Sequence, residues 1–225
     1  MYTFKASPYS SHSILLRALP AEGRGRNVLD VGCGNGYLGA LLAERGYSVT
    51  GVERKDGYQQ PFPNSVRLVE ADLEDGLPDL LPGSFDYVLC ADILEHLRDP
   101  AALLGQLCGV LRPGGSLVAS LPNSGNVYFR LNVMAGRFPQ EDKGLFDRTH
   151  VRFFMWAGWD NLLRSSGWRI QSVEPTGIPV GLAVPAWEDT AVVRIAERVC
   201  YGLAKLRKTV FAYQFVVTAC PLNTK

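Results

Sequence analysis

The run Asp30-Val31-Gly32-Cys33-Gly34-Asn35-Gly36 sets one carboxylate and three glycines directly behind the apolar pair Val28-Leu29. A second acid, Glu53, ends the next apolar run, Val49-Thr50-Gly51-Val52. Glycines at this spacing let backbone approach a ligand closely, and a helix opening behind them offers unpaired amides. A carboxylate one strand away can accept hydrogen bonds from both hydroxyls of a ribose. The chemistry expected here is capture of an adenosine-containing cofactor. The glycine spacing is G-x-G-x-G, with Tyr37 where a dinucleotide fingerprint would need glycine, so a nicotinamide-dependent oxidoreductase is disfavoured, as it also is by the absence of a Y-x-x-x-K pattern.

The histidines are the next groups able to move protons. His150 stands in Phe146-Asp147-Arg148-Thr149-His150-Val151-Arg152 with an acid and two arginines beside it, and is the candidate general base. His96 follows Leu94-Glu95 and His12 lies near the N-terminus. Five cysteines, Cys33, Cys90, Cys108, Cys200 and Cys220, show no C-x-x-C spacing, so neither a metal site nor a disulfide framework is expected.

These groups need a scaffold that gathers them. Strands are expected at 27–31, 47–52, 65–70, 85–90, 116–121, 168–173 and 209–219, and helices at 14–19, 37–45, 99–111, 157–166 and 187–207. Asp99-Pro100 supplies the cap and first turn of the third helix, and Leu103, Leu104, Leu107 and Leu111 its apolar stripe. Strand and helix in alternation predict an α/β, Rossmann-like, doubly wound sheet of seven strands, mostly parallel, with helices on both faces and an antiparallel last strand. Parallel strands present their carboxyl ends together, which places Asp30, Glu53, Asp72 and Asp92 along one edge.

The whole chain, 1–225, reads as one domain with lid-like insertions at 123–150 and 174–208. The first carries Tyr128, Phe129, Arg130, Phe138 and Arg148, which suit either an acceptor pocket or a small core of its own. In the second, Val192, Ile195, Ala196, Val199, Leu203 and Leu206 form an apolar stripe expected to pack over the sheet, with a membrane surface as the lesser reading. A long apolar last strand must also be covered, by other strands or by a second copy in a homodimer. The net charge of +1 gives no reason to expect a nucleic-acid partner. No apolar run is long enough for stable membrane insertion, and scattered thiols favour a reducing, cytoplasmic location.

With these motifs in place, the chain resembles the class I S-adenosylmethionine-dependent methyltransferases along nearly its whole length. It is similar to ubiquinone-pathway O-methyltransferases and to methyltransferases found with glycan and antibiotic pathways. Val28 to Gly36 matches the first motif of that family, and Leu111-Arg112-Pro113-Gly114-Gly115 its turn into strand five. The resemblance implies S-adenosylmethionine as cofactor and S-adenosylhomocysteine as product. It implies cofactor contacts from Asp30, Gly32, Cys33, Gly34, Gly36, Glu53 and the adjoining Arg54. Asp72 and Leu73 would lie at the adenine and Asp92 beside the methionine part. The acceptor would be a small molecule such as a sugar or secondary metabolite, with O-methylation favoured over N-methylation. Acceptor contacts are expected from Tyr9, His12, His96, Tyr128, Arg130, Arg148 and Arg152, with His150 catalytic; the arginines admit an anionic acceptor. A non-catalytic methyltransferase-like partner of a biosynthetic enzyme is the alternative.

Overall fold

A computed structural model describes residues 7–183 and 190–222. Helix α1 (Ser11–Ala18) is capped by Ser10, whose hydroxyl accepts from the Ser13 amide. Strand β1 (Asn27–Val31) feeds the glycine turn and α2 (Tyr37–Glu44), followed by β2 (Ser48–Glu53), β3 (Val66–Glu70) and β4 (Phe85–Ala91). A single 3-10 turn (Leu94–His96) precedes α3 (Pro100–Val110), which Asp99 caps through the Ala102 amide. Then come β5 (Leu111–Pro122), α4 (Val127–Met134), α5 (Trp156–Ser165), β6 (Trp168–Pro175), α6 (Val180–Ala183), α7 (Ala191–Leu206), α8 (Lys208–Phe211) and β7 (Gln214–Pro221).

The seven strands form one sheet in the order β3-β2-β1-β4-β5-β7-β6. From β3 to β5 all neighbours are parallel, whereas β7 runs antiparallel to both β5 and β6. The antiparallel last strand is therefore covered on both edges within the chain. The strand order reverses between β1 and β4, where Val31 sits opposite Cys90, and the carboxyl ends of these strands diverge into a crevice.

Alternate residues of each strand serve two different cores. Val28, Leu89, Val118 and Val216 meet Leu15 of α1 and Leu38 and Leu42 of α2 on one face. Leu29, Val88 and Leu117 meet Leu103, Leu104 and Leu107 of α3 and Trp159 and Leu163 of α5 on the other. Both buried indoles are satisfied, Trp159 donating to the Pro122 carbonyl at 2.7 Å and Trp168 to that of Leu104 at 3.1 Å. Helices on both faces are thus required by strands apolar on both sides.

Four local expectations are corrected. Residues 209–211, expected as strand, are helical in α8, because β7 begins only where Gln214 finds Pro122 across the sheet. Arg112 to Gly115, expected as a turn before β5, lies within that strand as a register irregularity between Phe85 and Tyr87 of the partner. The segment 123–150 is not wholly irregular: α4 forms behind Asn126, whose carboxamide accepts from the Tyr128 amide. The α7 stripe does not pack over the sheet. Val192, Ile195, Val199, Leu203 and Leu206 are exposed, and the helix is held instead by Val193, Glu197 and Ala204 on its other side. The first residues of that helix as expected, 187–189, lie outside the described residues.

Candidate active site

The crevice between β1 and β4 opens into a cleft of about 350 Å³ lined by Asp30, Gly32, Cys33, Gly34, Asn35, Tyr37, Glu53, Asp92, Ile93, His96 and His12, among others. At its floor the Asp30 side chain is 1% exposed, and neither carboxylate oxygen has a hydrogen-bond partner. Burial pushes its pKa up to about 7, with the charge of Glu53 adding to the effect. A buried carboxylate without donors costs several kcal/mol to ionise, so it calls for a cation.

The glycine turn brings backbone to the cleft at left-handed φ, +70° at Gly32 and +70° at Gly36. A Cβ on Gly32 would stand 2.6 Å from the Ile93 side chain, and one on Gly36 would stand 2.7 Å from the Phe62 ring. A Cβ on Gly34 would meet nothing within 4 Å. Glu53 spans the rim, its two oxygens accepting from the Gly34 amide at 2.8 Å and the Arg54 amide at 2.9 Å. Burial and the charge of Asp30 raise the Cys33 thiol pKa, which keeps it protonated.

Opposite this turn, Asp92 adopts φ +54°, a conformation that aspartate rarely takes. Its carboxylate accepts from the Ser120 hydroxyl and, at 2.8 Å, from the Gln214 amide nitrogen, while its own amide donates to the Ser120 oxygen at 3.0 Å. Strain of this kind persists only where surrounding contacts over-determine it. His12, 2% exposed, lies 2.9 Å from the Tyr37 hydroxyl through Nε2. Neither Tyr37 nor Gln214 was marked by the sequence; the first was read only as a missing glycine, and the second sits 122 positions from its partner.

His150 and His96 pack edge to face with centroids 4.8 Å apart. His150 Nε2 lies 3.8 Å from Glu95 Oε1, and its side chain is 5% exposed. Its pKa is lowered to about 4, by burial first and then by the neighbouring His96, so the ring is neutral at pH 7. The remaining residues of the sequence reading lie elsewhere. Leu73 belongs to the main core, and Asp72 accepts from the Glu74 amide at 3.0 Å within its own turn, with Arg54 4.0 Å away. Tyr9 stacks on Tyr201 at 4.8 Å. Tyr128 donates to Glu141 at 3.3 Å, Arg130 to the Gly125 carbonyl at 2.7 Å, and Arg152 to that of Arg98. Arg148 pairs with Asp142 at 2.7 Å. None of these eight lines the cleft, and neither do Gly36 and His150. Phe129 and Phe146 stack at 4.5 Å and form, with Leu145, a small core of the 123–150 segment.

Residues 6–173 match the family described as methyltransferase domain. The chain belongs to that family. Among curated relatives, the ubiquinone biosynthesis O-methyltransferase of Chromobacterium violaceum is 29% identical over 182 residues, covering 75% of each chain. The methyltransferase spans 48% and 61% of the length of two further such relatives, from Idiomarina loihiensis and Psychrobacter arcticus. Among solved structures, an S-adenosylmethionine-dependent methyltransferase from Archaeoglobus fulgidus superposes with a TM-score of 0.63 at 22% identity, covering 92% of this chain and 91% of its own. The 1,6-didemethyltoxoflavin-N1-methyltransferase of Burkholderia thailandensis, with S-adenosylhomocysteine bound, gives 0.60 at 19%, covering 97% and 80%. The fold is thus that of the class I S-adenosylmethionine-dependent methyltransferases. No helix among the described residues is long and apolar enough to cross a membrane.

Proposed function

We propose that this methyltransferase moves the methyl group of S-adenosylmethionine onto a hydroxyl of a small molecule. The observation that carries this reading is Asp30: a carboxylate buried beneath a glycine cradle at the strand switch point, with no hydrogen-bond donor. The cofactor's amino-acid end carries an ammonium group that answers this need, and pairing there would return the carboxylate to its ionised form. The glycine backbone at 32–34 admits the ligand without side-chain interference, and Glu53 at the rim is placed to accept from ribose hydroxyls. Asp92, held by Ser120 and Gln214, would face the methionine part. Asp56, Gly57 and Tyr58 of the loop after β2 line the cleft, whereas Arg54 and Asp72, expected from the resemblance, do not.

When bound, the cofactor supplies an electrophilic methyl group on a sulfonium, so the protein's task is to align an acceptor and manage its proton. Relatives named as ubiquinone biosynthesis O-methyltransferases support a hydroxyl acceptor. His150, with its pKa lowered to about 4 and outside the cleft lining, is on its own too weak a base for that hydroxyl. The five free thiols fit a reducing compartment, and we place the enzyme in the cytoplasm.

Titration calorimetry with S-adenosylhomocysteine and with NAD tests the cofactor, and methyl transfer from labelled S-adenosylmethionine to a panel of phenols, sugars and amines tests the reaction. Binding of S-adenosylhomocysteine alone, with label appearing on hydroxyl acceptors, is the expected result. NAD binding would overturn the cofactor assignment. Tight S-adenosylhomocysteine binding with no transfer to any acceptor would instead favour a non-catalytic partner protein.

A further inference from the structure

We propose that Glu95, His96 and His150 form a binding site for a divalent first-row transition metal at the acceptor side of the cleft. One carboxylate oxygen and one nitrogen from each ring lie within 4.8 Å of one another. They come from two separate loops, the turn after β4 and the end of the 123–150 segment. Those loops are stitched together by the Glu95 carbonyl, which accepts from the Val151 amide at 3.0 Å and the Arg152 amide at 3.1 Å. The convergence is therefore fixed by backbone rather than by chance meeting of mobile side chains.

His96 is also oriented as metal-binding imidazoles are. Its Nδ1 lies 3.2 Å from the Thr149 carbonyl. A ring that donates one N–H to a carbonyl keeps the other nitrogen as a lone-pair donor, and this second contact is what fixes the tautomer of a metal ligand. His150 presents Nε2 to the Glu95 carboxylate, 3.8 Å away. Ligand atoms held at about 2.0–2.2 Å from one ion stand roughly 3 Å apart, so closing the triad needs side-chain adjustments rather than loop movement. Two imidazoles and one carboxylate leave open coordination positions, a set that suits Zn2+ or Fe2+ and not Mg2+, which prefers oxygen.

His96 lines the cleft with Asp92, so an open position would face an acceptor hydroxyl. This use of the site rests on the proposed O-methylation. The hydroxyl proton would leave to a metal-bound hydroxide as water, and the oxygen would coordinate. The C–O bond would then form as the C–S bond breaks, its electron pair returning to sulfur.

The test separates the site from the reaction. Chelator-treated full-length protein is titrated with Co2+, followed by visible absorption and calorimetry. One equivalent with a d–d band is expected, with affinity at least about 10-fold weaker in Glu95→Gln and about 100-fold weaker in His96→Ala and His150→Ala. Far-ultraviolet circular dichroism and the melting temperature report the folding of all three. Absence of stoichiometric binding by the wild-type protein, or equal binding by the correctly folded Glu95→Gln and His96→Ala variants, overturns the site. Transfer to a hydroxyl that chelation abolishes and Zn2+ or Fe2+ restores supports its role. Transfer unaffected by chelation overturns that role while leaving the binding result to stand on its own. Metal binding without transfer to any hydroxyl would count against the proposed O-methylation and not against the site.

Discussion

The cleft and the 123–155 segment joined to it through His96 are built from different materials. On the β1 side of the cleft, the ligand-facing surface is backbone, a turn of glycines at positive φ above a single buried acid. The segment, none of whose residues lines the cleft, is side chains propped by other side chains, a small core of Phe129, Leu145 and Phe146 with Phe138 and Phe153 at its edges. A backbone surface is specified by short-range rules and serves one cofactor. A side-chain surface is specified by packing partners far apart in the chain, and can be re-cut for different acceptors without disturbing the donor.

The sharpest way to break this division is to damage one side and measure the other. Phe146 is 1% exposed, and Phe146→Ala removes a stacked ring from a small core, so we expect a loss of about 3–5 kcal/mol in the stability of the segment. Protease cleavage within 123–155 measures it, and S-adenosylhomocysteine affinity should change by less than about 2-fold. A collapse of cofactor binding would show that the sides are not separate. The converse is Asp30→Asn, which removes the negative charge within the same volume. A desolvated charged hydrogen bond is worth roughly 2–3 kcal/mol, so S-adenosylhomocysteine should bind about 30–150-fold more weakly by calorimetry, with the melting temperature of the ligand-free protein at pH 8 unchanged or raised.

Asp30 also sets a pH dependence. Its pKa is about 7 in the folded protein against 3.8 for the free side chain. Between those values the native state holds a proton that the unfolded state has released, so this group's contribution to stability falls as pH rises from about 4 to 7. A ligand ammonium reverses the preference. Binding should release up to one proton per site below pH 7, and affinity should rise with pH up to about 7 and then level off. Calorimetry in buffers of different ionisation enthalpy counts the protons; no release would mean that the ligand amine does not meet Asp30. The smallest effect is expected at Arg148, which is 63% exposed and paired with Asp142. Arg148→Ala should alter the acceptor KM by less than about 2-fold, and a 10-fold rise would restore an anionic acceptor to consideration.

The same contrast explains what could be read from the sequence. The seven-stranded sheet was legible because alternating apolar runs, caps such as Asp99 and turn glycines each act within a few residues. The glycine cradle with Asp30 and Glu53 was legible for the same reason, being one turn and the end of the next strand. Asp72 was not placed, since nothing local tells whether a carboxylate after β3 faces a ligand or caps its own turn, as it does here toward Glu74. Residues 209–211 carry β-branched and aromatic side chains suited to a strand, yet they lie beyond the point where β5 offers a partner, and they coil into α8. The arginines of 130–152 looked convergent in sequence because they are close in number, but each is engaged separately at the surface. His96 reads in sequence as an acceptor contact; its meeting with His150 depends on a loop more than fifty residues away.

The position of β7 has a consequence for how the molecule comes into being. It is threaded between β5 and β6, and its first residue, Gln214, donates to the Asp92 carboxylate at the cleft. Until residues 214–221 leave the ribosome, β5 and β6 each present an unpaired edge, and the clamp on Asp92 lacks a member. The growing chain therefore carries its cofactor turn, complete and early, beside a half that only β7 can close, and a product stalled before β7 would be exposed at two sheet edges to pairing with its neighbours.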